Sequence, residues 1–82
     1  MKILYSPHFM RNYNKAPAGI QRAFDKQALL LLQNLKHPSL RTKKYDESQD
    51  LWQARITASW RFYFMIEHDL YLMTEIKAHP KK

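Results

Sequence analysis

The stretch that most constrains the fold is Trp52 to Phe64, WQARITASWRFYF, in which side chains alternate between oily and polar on both sides of a short break. A period of two over runs this long reads as two half-buried strands joined as a hairpin. Trp52, Ala54 and Ile56 share one face of the first run, and Gln53, Arg55 and Thr57 the other. In the second run Phe62, Phe64 and Ile66 share a face, opposite Arg61, Tyr63 and Met65. The two oily rows must meet, because a slip of one residue sends every core side chain to the solvent face. That requirement predicts a three-residue loop, Ala58 to Trp60, with Thr57 opposite Arg61 and Arg55 opposite Tyr63.

The stretch from Tyr71 to His79 extends the sheet by the same logic. A turn over Glu67, His68 and Asp69 sets Ile66 opposite Leu70, Phe64 opposite Leu72 and Phe62 opposite Thr74. On the other face Tyr63 then meets Met73 and Arg61 meets Glu75, with Lys77 and His79 continuing the row. Two arginines, a tyrosine, a glutamate and a histidine gather on the face away from the core. An open sheet face carries polar groups as a matter of course. The surplus of cations and the histidine among them are what give this one chemical interest.

Before the hairpin, Lys2 to Tyr5 reads as a first strand, and Ser6-Pro7 as the cap and first residue of a helix to about Lys15 that buries Phe9 and Tyr13. Ala16 to Gly19 is a break holding the only glycine. Pro17 opens a second helix to about Lys36, with Ile20, Phe24, Ala28, Leu31 and Leu35 as its oily stripe. Leu32 extends that stripe, and Leu29 lies roughly half a turn away, where it is free to meet a protein partner. The helices form an antiparallel hairpin on the oily side of the sheet. His37-Pro38 stops the second helix, since the residue before proline is pushed out of the α region. A short strand ends at Tyr45, and Asp46 to Asp50 is an acidic connection. Pro80 to Lys82 reads as a frayed tail. The expected architecture is α+β: an N-terminal strand and a two-helix hairpin packed on a mainly antiparallel, twisted sheet, as one small domain over 1–82.

The 82 residues include no cysteine, so no disulfide supports the fold, and a reducing cytoplasm is the expected setting. No apolar run approaches the ~18 residues of a membrane span, and no signal-peptide pattern opens the chain. Fourteen Lys and Arg against seven Asp and Glu leave a formal charge of +7. That excess selects anionic partners: nucleic acid, a membrane surface or an acidic protein. The four histidines are scattered without metal-ligand spacing, one glycine makes no phosphate loop, and nothing resembles a nucleophile elbow. Neither a metal nor another cofactor is expected. A cationic face with aromatics and one imidazole suits cleavage of RNA, in which a base takes the 2′-hydroxyl proton, cations stabilise the phosphorane and an acid protonates the leaving oxygen. Arginine fits the second role through its planar fork, and histidine the first or third because it titrates near neutral pH. Most basic patches bind rather than cut, so binding without cleavage stays open.

The segments HPSLRTKK (His37 to Lys44), LWQARITASWRFYF (Leu51 to Phe64) and the last strand ending at His79 resemble the RelE/ParE superfamily of toxins from type II toxin–antitoxin systems, and most closely its RelE-type branch. The likeness extends over nearly the whole chain. It implies an mRNA endonuclease that needs no metal, cuts mRNA in the ribosomal A site with rRNA as a further partner, and is silenced by a cognate antitoxin in a hetero-oligomer. By this resemblance Arg61, after Trp60, holds the scissile phosphate, Arg55 supports it, and His79 is the general acid or base. Arg41, Lys43 and Lys44 match the family's basic residues before the hairpin, and Tyr63 and Lys77 join them as RNA-binding residues. Two departures stand out: HPKK replaces a tail with tyrosine, and Glu75 and Lys77 stand where many relatives carry an arginine. The same superfamily also includes ParE-like proteins that inhibit DNA gyrase by binding. The remaining reading is a nucleic-acid-binding relative of weak or no catalytic activity.

Overall fold

Both alternating runs are strands. In the computed structural model, which describes residues 1–79, the order is β1 (Lys2–Tyr5), α1 (Pro7–Lys15), α2 (Ala18–Gln33), a 3-10 turn (Pro38–Leu40), β2 (Lys43–Asp46), β3 (Leu51–Thr57), β4 (Trp60–Glu67) and β5 (Leu70–Ala78). The expected tail over 80–82 lies outside the described residues. The strands form one sheet in the order β1-β5-β4-β3-β2. β1 is parallel to β5, and every other neighbouring pair is antiparallel. The expected α+β architecture is the one observed.

Local chemistry sets the helix ends. Ser6 Oγ accepts a hydrogen bond from the Phe9 amide at 3.0 Å, with Pro7 in the first helical position. α2 ends at Gln33, three residues short of the expected Lys36. There Asn34 Oδ1 accepts from the Lys36 amide at 3.0 Å, a local turn that competes with further helix. Phe24, Ala28 and Leu31 are buried as the stripe requires, while Ile20 and Leu35 are only partly covered. Leu32, expected to extend the stripe, is exposed, as is Leu29. Phe9 is buried and Tyr13 half-buried.

The core lies between the helices and one sheet face. Phe24 meets Phe9 at 5.2 Å and Phe62 edge-on at 5.1 Å between ring centroids, and Phe64 follows Phe62 at 5.8 Å. Ile56, Phe62 and Phe64 are buried in this cluster, with Trp52 and Ile66 packed against it.

The register differs from expectation in both hairpins, for one reason. The β3–β4 turn has only two residues, Ala58 and Ser59, between the paired Thr57 and Trp60. A bulge at Ile56 absorbs the odd residue, so the oily rows still meet. Every pairing beyond it moves by two, and Arg55 stands opposite Arg61 instead of Tyr63, which faces Gln53. In the second hairpin, Glu67 pairs with Leu70 across a two-residue turn in which His68 takes a left-handed conformation, φ 53°. This turn reverses the expected faces of the first half of β5. Tyr71 and Met73 enter the core opposite Ile66 and Phe64, and Leu72 is only half-buried. A bulge at Thr74 then restores the alternation, so that Ile76 meets Phe62, Glu75 meets Tyr63 and Lys77, rather than Glu75, meets Arg61.

Candidate nucleic-acid interface

The sheet face away from the helices carries a depression of about 190 Å³ lined by Arg41, Lys43, Gln53, Arg55 and Arg61. Four strongly basic groups line it, and no acid among the described residues does. Among the described residues, none of the four is in an ion pair. Arg55 and Arg61 are direct cross-strand neighbours, an arrangement that costs stability through like-charge repulsion and that a bound anion relieves. Arg61 Nη1 donates to the carbonyls of Thr57 at 2.7 Å and Trp60 at 3.1 Å. These bonds fix the guanidinium over the β3–β4 turn.

Arg41 reaches the same place by a different route. It closes the 3-10 turn in a left-handed conformation, φ 48° and ψ 46°, which for a side chain with a Cβ costs roughly 1–2 kcal/mol. The surroundings hold it there. Leu40 is fully buried, and Thr42 Oγ1 donates to the Leu35 carbonyl at 2.8 Å. Buried Gln27 on α2 donates through Nε2 to the Ser39 carbonyl at 3.2 Å and to the Arg55 carbonyl at 2.9 Å. One amide thus ties the segment bearing Arg41 to the strand bearing Arg55.

No protein-family model matches the chain, and no curated protein sequence matches it. Solved structures do. A YoeB/ParE toxin from Agrobacterium tumefaciens superposes with a TM-score of 0.79 at 14% identity, over 98% of this chain and 100% of that one. YafQ from E. coli strain BL21(DE3) gives 0.78 at 17%, over 93% and 90%. A chain of the RelB-RelE antitoxin-toxin complex from Methanococcus jannaschii gives 0.72 at 16%, over 92% and 88%. The chain has the fold of the RelE/ParE toxins.

On this RelE-like sheet the other expected residues are dispersed. Lys44 points to the opposite side of β2 from Lys43: its ammonium bonds Asp50 and lies 5.3 Å from the centre of the Trp52 ring. It does not line the depression. Tyr63 is on the open face but only 4% exposed, with the Lys77 ammonium 5.3 Å from its ring centre and the Tyr45 ring 5.0 Å away. Burial, with Tyr45 and Glu75 nearby, pushes its phenol above the usual value, and Arg61 offsets this only in part. Tyr63 therefore stays protonated at neutral pH and is no base. Glu75, expected against Arg61, is instead held by α1, where His8 Nε2 lies 2.8 Å from one carboxylate oxygen and Asn12 donates to the other at 2.7 Å.

His79 is exposed just past β5, its amide bonded to the Ser59 carbonyl in the β3–β4 turn. The expected register set it four residues beyond the partner of Arg61. In the observed one, where that partner is Lys77, it is two beyond, or about 7 Å at strand rise.

Sequence reasoning missed Gln27, Gln53 and Tyr45. Gln27 carried a signal, since it sits one position before Ala28 on the oily side of α2, where a polar residue needs buried partners. Gln53 alternates onto the open face as expected, yet it is buried there, paired with Lys43 on one side and Tyr63 on the other.

Proposed function

We propose that this chain is the toxin of a type II toxin–antitoxin system and acts as a ribosome-dependent mRNA endonuclease. The observation that carries this is the depression ringed by Arg41, Lys43, Arg55 and Arg61 without an acid among them. In the proposed reaction His79 removes the 2′-hydroxyl proton or protonates the leaving 5′-oxygen, and solvent water carries the other proton. The 2′-oxygen attacks phosphorus, the bond to the 5′-oxygen breaks, and a 2′,3′-cyclic phosphate and a 5′-hydroxyl result. Arg61 and Arg55 stabilise the extra negative charge of the phosphorane. Lys77, packed over the buried Tyr63, extends the binding face on one side, and Arg41 and Lys43 extend it on the other. The partner is a cognate antitoxin whose acidic side chains cover this face, and a RelE of the same fold was solved with its antitoxin RelB.

Induced expression with mapping of transcript ends tests the reading. The wild type should arrest growth and leave new ends within open reading frames. Arg61→Ala should remove both, with an unchanged circular dichroism spectrum. His79→Ala should slow single-turnover cleavage on programmed ribosomes about 10²–10⁴-fold with little loss of affinity. Intact transcripts accompanied by gyrase-linked DNA breaks would replace this reading with gyrase inhibition.

A further inference from the structure

Tyr45 is the residue of the cationic face that the proposed chemistry leaves unused. It lies at the bulge of edge strand β2, between the paired residues Lys44 and Asp46. A bulge re-aims its side chain away from a regular ladder position. The residue is 56% exposed although its ring packs at 70° against Tyr63, and beyond Tyr63 stands the Lys77 ammonium. Lys43, two residues earlier on the same strand, lines the arginine depression, and so does Gln53, the cross-strand partner of Tyr63. A rigid aromatic with more than half its surface open, anchored from behind and bordered by cations, matches the platform on which single-stranded nucleic acid stacks its bases.

We infer that Tyr45 is a base-stacking residue, which holds an unpaired RNA base next to the phosphate bound by Arg55 and Arg61. This rests on the RNA reading above and adds to it a contact with the base, where the arginines contact only the backbone. Tyr63 sits two residues along β4 from Arg61, about 7 Å away at strand rise, so the platform adjoins the phosphate site. Such stacking is tolerant of base identity, and it supplies grip without hydrogen-bond readout.

The test compares two end-labelled 2′-O-methyl hexanucleotides, which this chemistry cannot cleave, one bearing bases and one abasic throughout. Anisotropy titrations at low salt use the wild type, Tyr45→Ala and Tyr45→Trp. The wild type should prefer the base-bearing strand, and Tyr45→Ala should lose about 5- to 150-fold of affinity for it. Affinity for the abasic strand and its salt dependence should stay unchanged, and Tyr45→Trp should keep the preference. If Tyr45→Ala retains the preference, or loses affinity equally for both strands, the inference is wrong. A wild type that binds both strands equally, or neither, overturns the inference, while the RNA reading itself stands or falls on the transcript ends.

Discussion

Lys43 and Lys44 are neighbours in sequence and opposites in place. Lys43 faces Arg41, Arg55 and Arg61, whereas Lys44 is taken by Asp50 behind the sheet. Released counterions are counted by the salt dependence of binding, with a slope of about −0.7 per phosphate contact for a single strand. Lys43→Ala should therefore flatten the salt slope for RNA by nearly one contact, and Lys44→Ala should leave it unchanged. Equal slopes for the two variants would mean that the depression is not the binding surface. The sequence alone does not separate these residues, because a short strand of four residues has no run long enough to fix its phase. Arg55 and Arg61 were legible as members of one face, since their phase is set by long oily rows on both strands. What was not legible was that they stand directly opposite each other, or that Lys77 rather than Glu75 flanks Arg61 on its other side.

At the scale of elements, bulges decided what the pattern left open. Alternation fixes which face a residue occupies only while the ladder is regular, and Ile56 and Thr74 each add one residue to it. The β3–β4 bulge preserved the expected faces, so the core of that hairpin was readable in full. The β5 bulge gave its two halves different phases, and there Tyr71 and Met73 replaced Leu70 and Leu72 in the interior. The contact between α1 and β5 yields a prediction of its own. Burial raises the Glu75 pKa, but hydrogen bonds from His8, Asn12 and the Ile76 amide bring it below its ordinary 4.5. A carboxyl group depressed in the folded state stabilises above its unfolded pKa, and that contribution fades as pH falls through the folded value. The stability gap between wild type and Glu75→Gln should thus be widest above about pH 4.5 and close as the solution is acidified below it. Urea melts across that range measure it, and a gap independent of pH would show that the His8–Glu75 contact is not formed in solution.

For the molecule as a whole, one aromatic cluster carries both layers. Phe64 is fully buried between Phe62, Trp52 and Tyr71, with ring centroids 5.5–6.3 Å away. Phe64→Ala should cost about 3–5 kcal/mol. That is a large share of the stability of so short a chain, so the variant should be partly unfolded at 37 °C by calorimetry. A loss below about 1 kcal/mol would place the core elsewhere. Long-range order enters through the seam between β1 and β5, where Lys2 pairs with Leu70 and Tyr5 with Met73. Of the five strands β1 is synthesised first and its partner last, so the sheet's final seam joins segments that are distant along the chain, the slowest kind of contact to form. A nascent chain halted before residue 70 already contains Arg41, Lys43, Arg55 and Arg61, yet lacks Met73, Ile76 and the strand to which β1 must pair. The cations are made early, and the folded surface that presents them is completed only once β5 has emerged.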